Sequence, residues 1–323
     1  MSDTFICAYS LNGDGSGAAV SREALWSTED DSKPIWIHLS ARSDLARQWL
    51  ADEAGLPDPM LVEALLAEDT RPRMLSREDG LLLILRGVNL NENAEPEDMV
   101  SMRIWLESKR FISVQLRNLK GVAEMQGLLQ SGTGPLDISD LLITFIEGSI
   151  KRISPVIGDL TEGIDELEDQ ILQMQLSGAR EQITAIRRST SIFNRFLSPQ
   201  KDIVERLINT QKLNLTDNLK QRLFEAHNDM TRFVEDLQAM RERAHLIQDE
   251  VTNILTARLN KNTYALSIIA AIFLPLSFLT GLLGINIPGI PGAEDPRAFL
   301  VFCGILSAVF LLQILLFKKL RWF

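Results

Sequence analysis

The chain has 323 residues and a formal net charge of −10, with 43 acidic against 33 basic side chains. A phosphate-binding surface needs a basic excess, so this balance excludes a nucleic-acid partner; it suits a protein that gathers cations around itself. Its two cysteines, Cys7 and Cys303, form no CxxC pair, which fits a reducing compartment. The opening MSDTFICAYSLNGDG has no basic segment followed by a long apolar run, so no cleaved signal peptide is expected.

Residues 1–135 read as an α/β cytoplasmic domain. Ile35 to Leu39, Leu81 to Arg86, Met99 to Leu106 and Phe111 to Gln115 have strand character, and polar Glu107 to Arg110 joins the last two as a hairpin. Helices are predicted over Ser43 to Ala54, with Ser43 as N-cap, and over Asp58 to Ala67, with Pro59 in the first turn. Residues 136–215 read as a helical bundle segment. From Asp137 to Leu176 apolar residues recur at three and four, marking a long amphipathic helix with Pro155 as a kink site. Ser177-Gly178 ends it. A second helix is predicted from Ala179 to Leu197, interrupted at Ser198-Pro199 and resumed to Asn209.

Thr216 is the expected N-cap of a much longer helix. From Asp217 no glycine or proline occurs before Pro275. One helix of roughly 65 residues, about 100 Å long, is expected to run from a stalk (216–262) into a first membrane span (263–284). An outer loop (285–297), a second span (298–317) and a basic tail (318–323) complete the chain. Tyr264 to Gly284 and Ala298 to Phe317 hold no charged residue, and each is about 20 residues long, enough to cross the ~30 Å hydrocarbon core. Arg258 and Lys261 precede the first span, and Lys318, Lys319 and Arg321 follow the second. The positive-inside rule then places both termini in the cytoplasm, with Tyr264 and Trp322 at the inner boundary.

Along the long helix, steps of four and three pick out Asp249, Asn253, Thr256, Asn260, Thr263, Ser267, Ala270, Leu274, Ser277 and Gly281. Nearly all are polar or small. Two readings stay open. Small residues let membrane helices pack closely. Alternatively, a 3.5-residue period keeps one face toward the axis of a bundle, and the continuation as Asn and Thr into the stalk favours a water-filled axis. The second reading requires an oligomer, with Leu274 as a ring that gates by dewetting and Pro275 as a place to bend. The membrane segments carry no ionisable group for proton coupling; Glu294 and Asp295 lie in the outer loop. A coupled proton would travel along the stripe by water or hydroxide, or titrate groups outside the bilayer.

Gly284-Ile285-Asn286, at the end of the first span, resembles the Gly-Met-Asn signature of the CorA superfamily of divalent cation transporters. The order of an α/β domain, a stalk, two C-terminal spans and a basic tail is similar to that family over the whole chain. Leu283 stands where magnesium-transporting members usually have Tyr, and Ile285 replaces Met. With Glu68-Asp69-Thr70-Arg71-Pro72-Arg73, Arg86-Gly87-Val88-Asn89-Leu90-Asn91 and the run from Gly284 to Gly292, the chain resembles the ZntB branch. That resemblance implies a funnel-shaped homopentamer in a bacterial inner membrane, with Asn286 at the outer mouth. It also implies Zn²⁺ as the transported ion, taken up with protons, and no permanently bound cofactor.

Neutral Asn286 carbonyls would suit an ion that keeps its water, and Glu294 and Asp295 would draw cations to the mouth or serve as ordinary solvated charges. Zinc prefers His and Cys ligands, yet His38 reads as a structural residue of a strand. His227 and His245 share a stalk face too far apart to hold one ion within a subunit. With Glu225 and Asp249 they are the candidates for regulatory cations between subunits. Mg²⁺, Co²⁺ or Ni²⁺ passage of the CorA kind, and a non-conducting membrane-tethered metal sensor, are the competing readings. An enzyme is not expected, since the sequence holds no P-loop, HExxH, GxSxG or Cys/His cluster.

Overall fold

The computed structural model describes residues 5–21, 33–285 and 295–320. They fall into two compact units, Met1–Gln248 and Asp249–Phe323. The first is built on a seven-stranded mixed sheet: β1 (Phe5–Leu11), β2 (Gly17–Ala19), β3 (Ile35–Ser40), β4 (Arg73–Ser76), β5 (Leu81–Gly87), β6 (Val100–Leu106) and β7 (Arg110–Gln115), in the order β2-β1-β3-β7-β6-β5-β4. Neighbours pair antiparallel except β3 with β7, which run parallel with Ile37 opposite Ile112. Two antiparallel halves are thus joined along one parallel seam. The chain between β3 and β7 supplies the helices that cover this seam on one face.

Those helices are α1 (Asp44–Gln48), continued by a π turn over Trp49–Glu53, and α2 (Pro59–Leu66). Ser43 caps α1 by accepting from Ala46 N at 3.3 Å, and Asp58 caps α2 by accepting from Met60 N at 2.8 Å. Both caps satisfy amides that a first helical turn leaves unpaired. Ala46, Trp49, Leu50, Leu61 and Leu65 then pack on Leu39, Leu82, Trp105, Ile112 and Val114. The expected β6–β7 hairpin closes with Glu107 N donating to Arg110 O at 2.8 Å, and the Arg110 Nε returns a bond to the Glu107 carboxylate at 2.8 Å.

The helices of the remaining described chain are α3 (Lys120–Ser131), α4 (Ile138–Leu172), α5 (Ala179–Ile208), α6 (Asp217–Leu283) and α7 (Ala298–Lys319). Phe145 of α4 meets Trp36 edge-on at 5.4 Å and stacks on Phe111, which seats α4 against the sheet. Asp137 caps α4 through Asp140 N, and Thr216 accepts from Leu219 N at the start of α6.

The predicted break at Ser198-Pro199 does not occur: α5 runs through Pro199 without interruption. Phe193, Leu197, Ile203, Val204 and Leu207 are buried on both sides of the proline. That continuous apolar face holds the helix across one missing hydrogen bond. β1, β2, β4 and α3 lie outside the sequence-based expectations.

Within the first unit, α4 and α6 run parallel and are laced by charge. Arg222 Nε donates to Glu147 at 2.8 Å and Arg222 Nη1 to Asp140 at 2.6 Å; Arg243 Nε donates to Glu168 at 2.8 Å and Arg243 Nη2 to Asp165 at 2.6 Å. Arg222 and Glu147 are 75 residues apart, and so are Arg243 and Glu168. The same offset therefore repeats three heptads later, as expected for helices packed at a 3.5-residue period.

Candidate functional site

The second unit contains the membrane-length elements. The C-terminal part of α6 and the whole of α7 are long and apolar enough to cross a bilayer. Each shows a covered stripe. On α6 the partly shielded positions that line up are Ile268, Ala271, Ile272, Leu276 and Leu279, and on α7 Ala298, Phe302, Leu306, Val309, Gln313 and the buried Phe317; Ala270 and Ile314 are shielded to the same partial degree beside these stripes. Within the stripes the spacing of three and four is that of helix-pair contacts. The two stripes meet where Gln313 Nε2 donates to Ala271 O at 3.5 Å.

Asn253, Thr256, Asn260, Thr263, Ser267, Leu274, Ser277 and Gly281 are all exposed, with Ala270 half-covered. At about 100° per residue the positions from Thr263 to Gly281 fall on the side of α6 opposite its covered stripe, whereas Asn253, five whole turns before Ala271, lies in line with that residue. Thus α7 leaves the polar and small face of α6 open. Leu274, the bulkiest member of that face, is 68% exposed. A Cβ added at Gly281 would meet nothing within 4 Å.

Two hydroxyls on this part of α6 bond within the helix. Ser267 Oγ donates to Thr263 O at 2.8 Å, and Thr280 Oγ1 donates to Ser277 O at 3.0 Å. A hydroxyl that gives its proton to the backbone keeps its lone pairs outward, so Ser267 presents an acceptor. Such a face offers a cation dipoles and no fixed charge.

At the end of α6, Gly284 N donates to Thr280 O at 3.0 Å and to Gly281 O at 3.2 Å, which tightens the last turn. Ile285 comes next, half exposed. Asn286 and Glu294 lie outside the described residues. Asp295 Oδ1 accepts from Arg297 N at 2.8 Å, and Asp295 O accepts from Ala298 N at 3.0 Å. This carboxylate therefore helps start α7, a role its position before an apolar helix allows.

The candidates for regulatory cations are spread along α6. Glu225, His245 and Asp249 are exposed and His227 is half-buried. Among the described residues no group of three or more His, Cys, Asp or Glu side chains is placed to hold a metal. Glu225 lines an open groove between α4 and α6 with Glu147 and Asp229, where Lys151, Arg222 and Arg232 balance the three acids. His38 is fully buried in β3, with Nδ1 2.7 Å from Ser113 Oγ.

Sequence reasoning passed over Gln313. The available signal was one long amide side chain in a second span whose other polar side chain before the basic tail is the short Ser307.

Residues 31–319 match the family model described as CorA-like Mg2+ transporter protein. The chain is 36% identical over 320 residues to the divalent cation transporter CmaX of Pseudomonas aeruginosa, covering 98% of this chain and 96% of that protein. It is 34% identical over 296 residues to the zinc transport protein ZntB of Pectobacterium carotovorum, covering 92% of this chain and 89% of that protein. Among solved structures, that of full-length CmaX aligns with a TM-score of 0.84 at 35% identity, covering 99% of this chain and 98% of that one.

Proposed function

The chain belongs to the CorA-like Mg2+ transporter protein family, and from that premise we infer that it carries divalent cations, Zn²⁺ first among them, across a bacterial inner membrane along the axis of a homopentamer. The observation that carries this reading is the open face of α6, polar or small apart from Leu274 between Thr263 and Gly281 and opposite the stripe covered by α7. One helix encloses no path. A ring of copies with this face inward does, and α7 then stands on the lipid side.

Along this path an ion meets hydroxyl and amide dipoles, with no carboxylate within the described spans. Weak, repeated contacts let an ion both enter and leave. Leu274 narrows the path with an apolar ring that excludes water in the resting state. At the mouth, Asn286 offers carbonyl oxygens to an ion that keeps part of its hydration, and Asp295 and Glu294 raise the local cation concentration. Both termini face the cytoplasm, where Arg258, Lys261, Lys318 and Lys319 stand. Regulatory cations bound between subunits at Asp249, Glu225, His227 or His245 would act on this path from the stalk.

Zinc is favoured by the identity to ZntB. Magnesium, cobalt or nickel passage is the second reading, favoured by the family description and by the broader name of CmaX.

The test is Zn²⁺ uptake by purified protein in liposomes, with and without an inward proton gradient and against Mg²⁺. Zinc flux raised by the gradient supports a coupled importer. Zinc flux indifferent to it supports passage down the ion's own gradient. Magnesium flux without zinc flux supports the second reading. Intact pentamers that carry neither ion overturn transport and leave a non-conducting metal sensor.

A further inference from the structure

We propose that Gln313 is a positioning residue for transport: its amide restrains the Pro275 hinge of the first span by occupying the backbone carbonyl that the proline leaves free. The proposal rests on the transport reading.

Pro275 lies inside α6. A proline has no N–H, so the carbonyl four residues earlier loses its helical donor. That carbonyl belongs to Ala271, and Gln313 Nε2 of α7 donates to it at 3.5 Å. In hydrocarbon no water is at hand to take the donor's place, and a proline in a span is tolerated when a neighbouring helix satisfies the freed group. Gln313 supplies that donor.

The surroundings sharpen the assignment. Gln313 shares its covered stripe with Phe302, Leu306, Val309 and Phe317. An amide among such residues is costly unless it bonds. Its Oε1 is buried and has no partner among the described residues. One half of the side chain is left unsatisfied while the other reaches the proline-freed carbonyl. Filling the gap between the helices would have required only a leucine or methionine.

The consequence for the ion path comes from position. Leu274 immediately precedes Pro275 and stands on the open face. Prolines are where helices bend, so a bend here turns the Leu274 ring relative to the helix before it. With the Ala271 carbonyl engaged, the second span holds the first at one angle. When Gln313 lets go, the hinge is free, Leu274 leaves the axis, and ions pass more readily.

The test is a double-mutant comparison on the full chain in liposomes, using Q313L, P275A and Q313L/P275A. P275A gives the Ala271 carbonyl a backbone donor, which makes Gln313 redundant. Zn²⁺ and Mg²⁺ fluxes are read beside hydrogen exchange of amides 268–280. Q313L is expected to raise flux of the transported ion at least about threefold and to speed exchange in that segment, while Q313L/P275A matches P275A within about twofold. Flux unchanged or lowered in Q313L, or raised equally in both backgrounds, overturns the proposal. Should Q313L fail to assemble, Q313M serves in its place. Assembly rescued by P275A supports the proposal, whereas failure in both backgrounds makes Gln313 a packing residue and overturns it. If no variant, nor the parent protein, carries either ion, the transport reading falls, and with it this role for Gln313; the exchange data still show whether Gln313 restrains the proline.

Discussion

Gln200 of α5 exchanges two hydrogen bonds with the backbone of Arg86 in β5: Arg86 N donates to Gln200 Oε1 at 2.6 Å, and Gln200 Nε2 donates to Arg86 O at 3.0 Å. The side chain thereby acts as one rung of an extra strand. It satisfies a sheet residue whose guanidinium is occupied elsewhere, by Thr70 O and by Met99 O. Gln200 is 2% exposed, so water has no access to replace it. Q200L should leave both backbone groups of Arg86 buried and unpaired, at a cost of about 2–4 kcal/mol. The thermal midpoint of the purified protein should drop by roughly 5–10 °C. A drop of less than about 2 °C would mean that the contact is dispensable.

His38 sets an acid limit. It is wholly buried, and burial pushes its pKa from 6.5 down to about 4 against a smaller upward pull from Gln115. The unfolded chain takes up a proton near pH 6.5 that the folded chain refuses until about pH 4. In that window the unfolded state binds more protons, so stability is complete above 6.5 and falls as the pH falls toward 4. At about 1.4 kcal/mol per unit the loss is on the order of 3 kcal/mol. H38Q should flatten this part of the profile while lowering the plateau, through loss of the contact to Ser113. Thermal midpoints from pH 4 to 8 decide the matter. An acid limb as steep in H38Q as in the parent would assign it to the carboxylates instead.

Much of this architecture was legible in the chain. Uncharged runs mark both spans, and steps of three and four mark α4. Asp58-Pro59 and Ser43 announce their helices because an N-cap uses one side chain and one amide close in sequence. What stayed hidden depends on partners far away. Pro199 looks like a helix end until the buried Phe193, Leu197 and Ile203 are seen to hold both sides of it. β2 is three residues of Gly and Ala, with no alternation to read. For the proposed ion path, the open face of α6 was legible as a period, but its separation from the α7 contact needed the second helix in place. The Gln313 contact to Ala271 joins residues 42 apart and leaves no local pattern at all.

The repeated arginine bridges between α4 and α6 should differ in worth. Asp140 keeps only 12% of its side chain exposed and also accepts from Leu136 N at 2.9 Å. R222M takes the arginine from that buried carboxylate and should cost about 2–3 kcal/mol. Asp165, beside Arg243, is 59% exposed, and water takes over readily. R243M should cost under about 1 kcal/mol. Thermal unfolding of both variants beside the parent tests the ranking, and equal losses would show that alignment of the heptads matters more than burial of the charge.

The open face of α6 makes the most direct functional prediction. If Leu274 is the apolar ring on the axis, L274S wets it, and the resting leak of divalent ions into liposomes should rise at least about fivefold. I272S falls on the covered stripe instead, and should disturb packing without opening the path. N286A removes the carbonyl ring expected at the mouth and should lower flux about tenfold or more with the oligomer intact. The three variants separate the two meanings of a small-residue stripe. A stripe that only packs subunits together would make L274S dissociate or aggregate, with no leak from the copies that assemble. A stripe that lines water makes L274S leak, N286A silent and I272S unstable. Size-exclusion profiles taken beside the flux traces distinguish these outcomes, because a leak from an intact oligomer requires an axis along which Leu274 was the obstacle.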